Sequence, residues 1–149
     1  MTEGETARLV VWSTEIRHVH ARLRQALAVT RDEVADGLDL LVFCHGFCTA
    51  LDGHHEGEGR TLFPAIEAAH PELRPTLRAL EQDHSMIAQL LGALRAAVDR
   101  GDTPAVLDQH LEGIAAIMES HFRYEERALL TILETLDLAA DPADVFGPL

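Results

Sequence analysis

The stretch His54-His55-Glu56-Gly57-Glu58-Gly59-Arg60-Thr61-Leu62-Phe63 has an echo near the other end of the chain: His121-Phe122-Arg123-Tyr124-Glu125-Glu126-Arg127-Ala128-Leu129-Leu130. Both read His-x-x-x-Glu-x-Arg-x-Leu. On a helix, residues four apart are offset by ~40° in rotation and ~6 Å along the axis, so each His/Glu pair shares one ridge. An imidazole and a carboxylate one turn apart form a two-toothed metal clamp. The spacing alone is weak, because nine His and fourteen Glu in 149 residues give about one such match by chance. The reading therefore depends on whether further ligands arrive at the same place.

Working outward, the apolar pattern is helical throughout, with no strand signal. A first helix is expected from about Ala7 to about Ala28, on the seam Leu9, Trp12, Ile16, His20, Leu23 and Leu27. The segment Thr30 to Asp39, with Asp32, Asp36 and Gly37, reads as a break. A second helix starts near Leu38, on the stripe Leu40, Phe43, Phe47, Leu51, His54 and Glu58. Gly46, Gly53, Gly57 and Gly59 each cost it about 1 kcal/mol relative to Ala, which implies close approach by a neighbour or a ligand, or a locally loose helix. Pro64 is expected to kink or end it.

A third helix begins between Pro71 and Pro75 on the seam Leu77, Leu80, His84, Ile87, Leu91, Leu94 and Val98, and Gly101 caps it. Thr103-Pro104 opens a fourth helix to about Leu136, with Leu107, His110, Ile114, Ile117, His121 and Glu125 facing inward. The tail from Asp137 lacks periodicity, with Val145 and Phe146 as candidates to dock on the bundle. The expectation is one domain over 1–149, an all-α, up-down-up-down four-helix bundle over about 7–136 with a tail at 137–149.

Each helix carries one histidine on its seam: His20, His54, His84 and His121. In an antiparallel hairpin, residues equidistant from the turn share a height. The midpoint of 20 and 54 is Gly37, that of 54 and 84 is position 69, and that of 84 and 121 falls between Asp102 and Thr103. All three midpoints are expected turns, so the four imidazoles form one layer. Glu58 and Glu125, each one turn on in parallel helices, are placed to bridge two metal ions. Buried carboxylates with no Lys or Arg on their seams need a cation, which argues against a metal-free interaction protein.

The candidate ligands are therefore His20, His54, Glu58, His84, His121 and Glu125. His55 sits ~100° from His54, either a ligand or a partly exposed support at the seam's edge. Tyr124, one turn from His121, is either near the metals or ordinary packing; Glu81 and Glu126 are supports or solvated. His110 is ~16 Å along the axis from His121 and too far to join it, and His18, His45 and His70 read as surface residues.

Composition excludes other classes. The formal charge of −13 disfavours nucleic acid and anionic membranes, and no apolar run reaches membrane length. Cys44 and Cys48, one turn apart, read as small buried apolar residues in a reducing compartment. With no visible signal peptide, a cytoplasmic protein is expected, monomeric or weakly self-associating.

On the two His-x-x-x-Glu segments, the Leu62-Phe63-Pro64 after the first, and single histidines on helices one and three, the chain resembles the hemerythrin-like HHE cation-binding family over about residues 7–136. That resemblance implies a non-haem centre of two iron ions bridged by an oxo or hydroxo group, acting on dioxygen, peroxide or nitric oxide. Imidazole and carboxylate equally suit manganese and zinc, so iron comes from the resemblance and not from the ligands. Oxygen-carrying members have two histidines four apart on helix three. Here the positions around His84 are Leu80 and Ala88, so His55 or Glu81 fills the place or a coordination position stays open. A more open or carboxylate-rich site favours redox turnover, catalase-like in outcome, over reversible binding. The alternative is a sensing or iron-handling module without turnover.

Overall fold

The computed structural model describes residues 11–35 and 40–147. Four long helical segments form the body: α1 (Trp12–Ala35); α2 (Leu40–Gly57), continued by a π-helical turn (Glu58–Leu62) and α3 (Phe63–Ala69); α4 (Arg74–Asp99); and α5 (Pro104–Thr135). A short helix, α6 (Pro142–Phe146), follows. Among the described residues there is no strand, and no helix is long and apolar enough to cross a membrane.

Ion pairs report the helix directions. Arg24 meets Glu119 at 2.7 Å and Arg31 meets Asp108 at 2.9 Å, so α1 and α5 run antiparallel. Asp52 with Arg95 and His45 with Asp99 show the same for α2 and α4. With α1 also packed on α2 and α4 on α5, the four close into a helical bundle compatible with an up-down-up-down order.

The expected seams on the first and third helices are buried as read: Trp12, Ile16, His20, Leu23 and Leu27 on α1, and Leu77, Leu80, Ile87, Leu91, Leu94 and Val98 on α4. Leu9 and Gly37 lie outside the described residues. α1 continues past Ala28 to Ala35, because Thr30 and Val34 extend its seam and are 2% and 0% exposed. The Thr30 hydroxyl donates to the Ala26 carbonyl, which satisfies it inside the helix. α4 ends as expected: Gly101 has φ +74°, and the N–H groups of Gly101 and Asp102 reach back to the Val98 and Ala97 carbonyls. The Thr103 hydroxyl caps α5 by accepting from Val106 N–H.

Two expectations need correction. On α5, His110 and Ile117 are only half-buried, and Leu111, Met118 and Phe122 hold the buried centre. Both stripes alternate steps of three and four, and the bundle buries the larger apolar set. Pro64 does not end the second helix; a π-helical turn lies just before it and a short helix follows. Phe63 N–H donates to the Glu58 carbonyl five residues back, and the helix proceeds to Ala69. An unbroken α-helix would put Phe63 ~140° around from Glu58. The wider turn brings both to the bundle-facing side, where they are 2% and 0% exposed.

Cys44 and Cys48 are buried free thiols, and burial pushes the Cys48 thiol up to about 12, which makes it a poor nucleophile.

Candidate metal centre

The histidine layer exists. His20 and His54 rings lie 5.2 Å apart, and those of His84 and His121 lie 4.8 Å apart. His55, next to His54, turns the other way and stacks on His84 at 3.8 Å. Five imidazoles and two carboxylates resolve into two groups whose ligand-type atoms lie within 4.8 Å of one another. One group is His20, His54 and Glu125, and the other is His55, Glu58, His84 and His121.

The carboxylates connect the groups. Glu125 directs Oε1 to His20 Nε2 at 3.2 Å and Oε2 to His121 Nε2 at 3.5 Å. Glu58 Oε1 lies 3.2 Å from His54 Nε2 and 3.5 Å from His84 Nε2. Each acid therefore faces imidazoles of both groups. None of the four carboxylate oxygens has a hydrogen-bond partner, and neither have His54 Nε2, His55 Nε2 or the two ring nitrogens of His20. Orphaned buried acceptors of this kind are rare in proteins and costly, and two cations at this level would satisfy them. The donor set suits such ions.

Behind the layer, the outer nitrogens face other groups of the fold. His121 Nδ1 lies 3.1 Å from Asp83 Oδ2, and His20 Nδ1 lies 3.5 Å from Glu126, which Arg24 also approaches. His54 Nδ1 lies 3.1 Å from the backbone carbonyl of Phe146. For His121 and His54 such partners select the tautomer that leaves Nε2 free to face the interior. Around them, Phe122 stacks on His20 at 3.8 Å and Phe63 on His84 at 5.5 Å.

The sequence expectations sort cleanly by position. His20, His54, Glu58, His84, His121 and Glu125 converge, and His55 joins them. Glu81 is exposed and stands outside both groups. Tyr124 is half-buried against the core. His18 is exposed, while His45 and His70 are partly exposed and pair with Asp99 and Glu72. Asp83 and the Phe146 carbonyl carried no readable signal. The first is one of eleven aspartates, and the second is backbone in a tail without periodicity.

The electrostatics follow from burial and from the crowding of imidazoles and carboxylates. Burial pulls the His54 imidazole down to about 3 and His55 well below its ordinary value, with neighbouring imidazoles adding to both. Burial and the nearby Glu125 push the Glu58 carboxyl well above the carboxylate range. Burial works the same way on Glu125, but the imidazoles of His121, His20 and His84 override it and hold that carboxyl well below. Burial also opposes charge on His20 and His121, and their acidic partners override it and raise both.

On the α2–α4 side a surface cavity of about 230 Å³ is lined by Asp52, His55, Glu56, His84, Ser85 and Ala88. It is the point at which the centre comes nearest to solvent, with the His84 side chain 11% exposed.

A family model for the hemerythrin HHE cation-binding domain matches residues 13–133. No curated protein and no solved structure matches the chain. Domains of that family are helical and bind metal cations, in keeping with the bundle and with the His/Glu groups at its core. The chain belongs to the hemerythrin HHE cation-binding family.

Proposed function

We propose that this is a non-haem di-iron protein that binds or reacts with dioxygen or peroxide at the histidine–glutamate layer. His20, His54 and Glu125 would hold one ion, and His55, Glu58, His84 and His121 the other, with both carboxylates shared. Two bound irons would supply the redox chemistry. The observation that carries the reading is the facing of Glu58 and Glu125 to imidazoles of both groups while their buried oxygens lack any other partner.

The chain's own residues define what such a centre can admit. Phe63, Phe122, Leu80 and Ile87 are buried and exclude bulk water. The cavity beside His55 and His84 has room for several water-sized molecules. The place of His55 in the layer supports the alternative in which it, and not Glu81, serves as the further ligand, and the groups offer three and four donors. The three-donor group leaves more room for a small ligand.

The test is metal analysis with an absorption spectrum of the purified chain, followed by peroxide addition. Two irons per chain, charge-transfer bands of a bridged ferric pair and oxygen evolved from peroxide support turnover. Stable reversible oxygenation without evolution supports binding only, and a chain that takes up no metal rejects the proposal.

A second reading, a sensing or iron-handling module, is favoured by one feature: the ligands come from all four helices of the bundle. Loading would then change the stability of the whole fold, which a partner could read. Calorimetric titration of candidate partners with and without iron separates the two.

A further inference from the structure

We infer that the C-terminal segment carrying α6 is a positioning element for His54, and that the His20/His54/Glu125 half of the centre depends on its docking. This rests on the metal reading above. His121 takes its Nδ1 partner from a bundle helix, Asp83 on α4, and His20 Nδ1 faces Glu126 of α5 at 3.5 Å. His54 alone is held from outside the four helices, by the carbonyl of Phe146. That bond consumes the Nδ1 proton and leaves Nε2 unprotonated, facing Glu58.

The docking is built for this contact. Val145 and Phe146 are 0% exposed. The Phe146 ring lies 5.6 Å from that of His54 and 5.8 Å, edge-on, from that of Trp12. The backbone of α6 runs so close to α2 that a Cβ at Gly57 would fall on the Val145 carbonyl. This accounts for a glycine one turn past residue 53 and one residue before Glu58. Gly147, at φ +88°, lets the chain pass against the Gly53–His54 peptide. The Arg60 guanidinium donates to the Asp144 carbonyl. A helix of five residues, capped by the Asp141 side chain on Ala143 N–H, has little stability of its own, so α6 depends on these contacts for its place. A cation on His54 favours the docked tail, and the docked tail favours the cation, to the same degree.

The test uses Co²⁺ as a spectroscopic probe of the metal-free chain. The parent is expected to fill in two steps. Gly57→Ala and Val145→Asp each dislodge the tail, one from the bundle side and one from the tail side. Each should weaken one step by roughly 10- to 100-fold and leave the other within about threefold. Gly59→Ala, in the same helical turn but with open space beside its Cβ, should match the parent. A merely structural tail would lower both steps together. That result, or two unchanged steps in the tail variants, overturns the inference while leaving the metal reading intact. A parent that binds no Co²⁺ overturns the metal reading itself, and this inference with it. Should either variant lose its helical circular dichroism, the parent chain decides: carboxypeptidase should trim the Co²⁺-loaded form roughly tenfold more slowly than the metal-free form. Equal rates overturn the inference.

Discussion

Asp83 and His121 are tied across the α4–α5 interface, with Asp83 Oδ2 3.1 Å from His121 Nδ1. The carboxylate is 39% exposed and the imidazole 1%. A solvated acid thus orients a buried ring without joining the centre. Asp83→Ala should leave the fold intact and weaken cation binding in the four-donor group by roughly 10- to 100-fold. Asp83→Asn, which still accepts a hydrogen bond, should lose less. Metal titration monitored by absorption measures both, and parent-like affinity in Asp83→Ala would refute the orienting role.

His55 and Glu81 make opposite predictions. His55 is 7% exposed, stacked on His84, and has an unpartnered Nε2. Glu81 is exposed on α4. His55→Ala should reduce bound metal from two ions per chain toward one, whereas Glu81→Ala should retain two. Elemental analysis after gel filtration reads the outcome, and the reverse pattern would reassign the fifth nitrogen position.

The two glutamates look equivalent in sequence but differ when the cation is absent. Glu58 is held neutral by burial and by Glu125, so Glu58→Gln should melt no lower than the metal-free parent. Burial also opposes charge on Glu125, but His121, His20 and His84 keep it ionised, so Glu125→Gln should be destabilised by about 1–3 kcal/mol. Both variants should lose the second metal ion. Melting curves of the metal-free proteins decide, and equal shifts would show that the charge is shared.

Acid should destabilise the metal-free chain from pH 6.5 downward. His54, pulled down to about 3 by burial, and His55, also well below its ordinary value, stay neutral when folded and take up protons when unfolded. Glu58 opposes them by one proton, because it is protonated in the fold and ionised in the unfolded chain above about pH 4.5. His20 and His121 are raised, so their contribution is already complete below 6.5. The two imidazoles outweigh the one carboxyl, so stability should fall with acid between pH 6.5 and 4.5. Below 4.5 the loss should steepen as the stability that Glu125 contributes above its unfolded value is also lost. Urea melts across this range test the slope, and a flat or rising profile would contradict it.

The amino-acid sequence by itself determined the helices with their heptad-like seams and the height at which His20, His54, His84 and His121 meet, with Glu58 and Glu125 beside them. Periodicity and chain length between turns suffice for that, because position along a helix and the side it faces are local properties. Tertiary packing decided what lies within an angular sector or beyond the bundle. A seam-edge residue such as His55 is committed only by the neighbour it meets, here His84, while Glu81 met solvent. The π-helical turn answers to Pro64 and to the burial of Phe63 against His84, a contact between distant helices. The grip of Phe146 on His54 joins residues 92 positions apart through a backbone atom, which no side-chain pattern encodes.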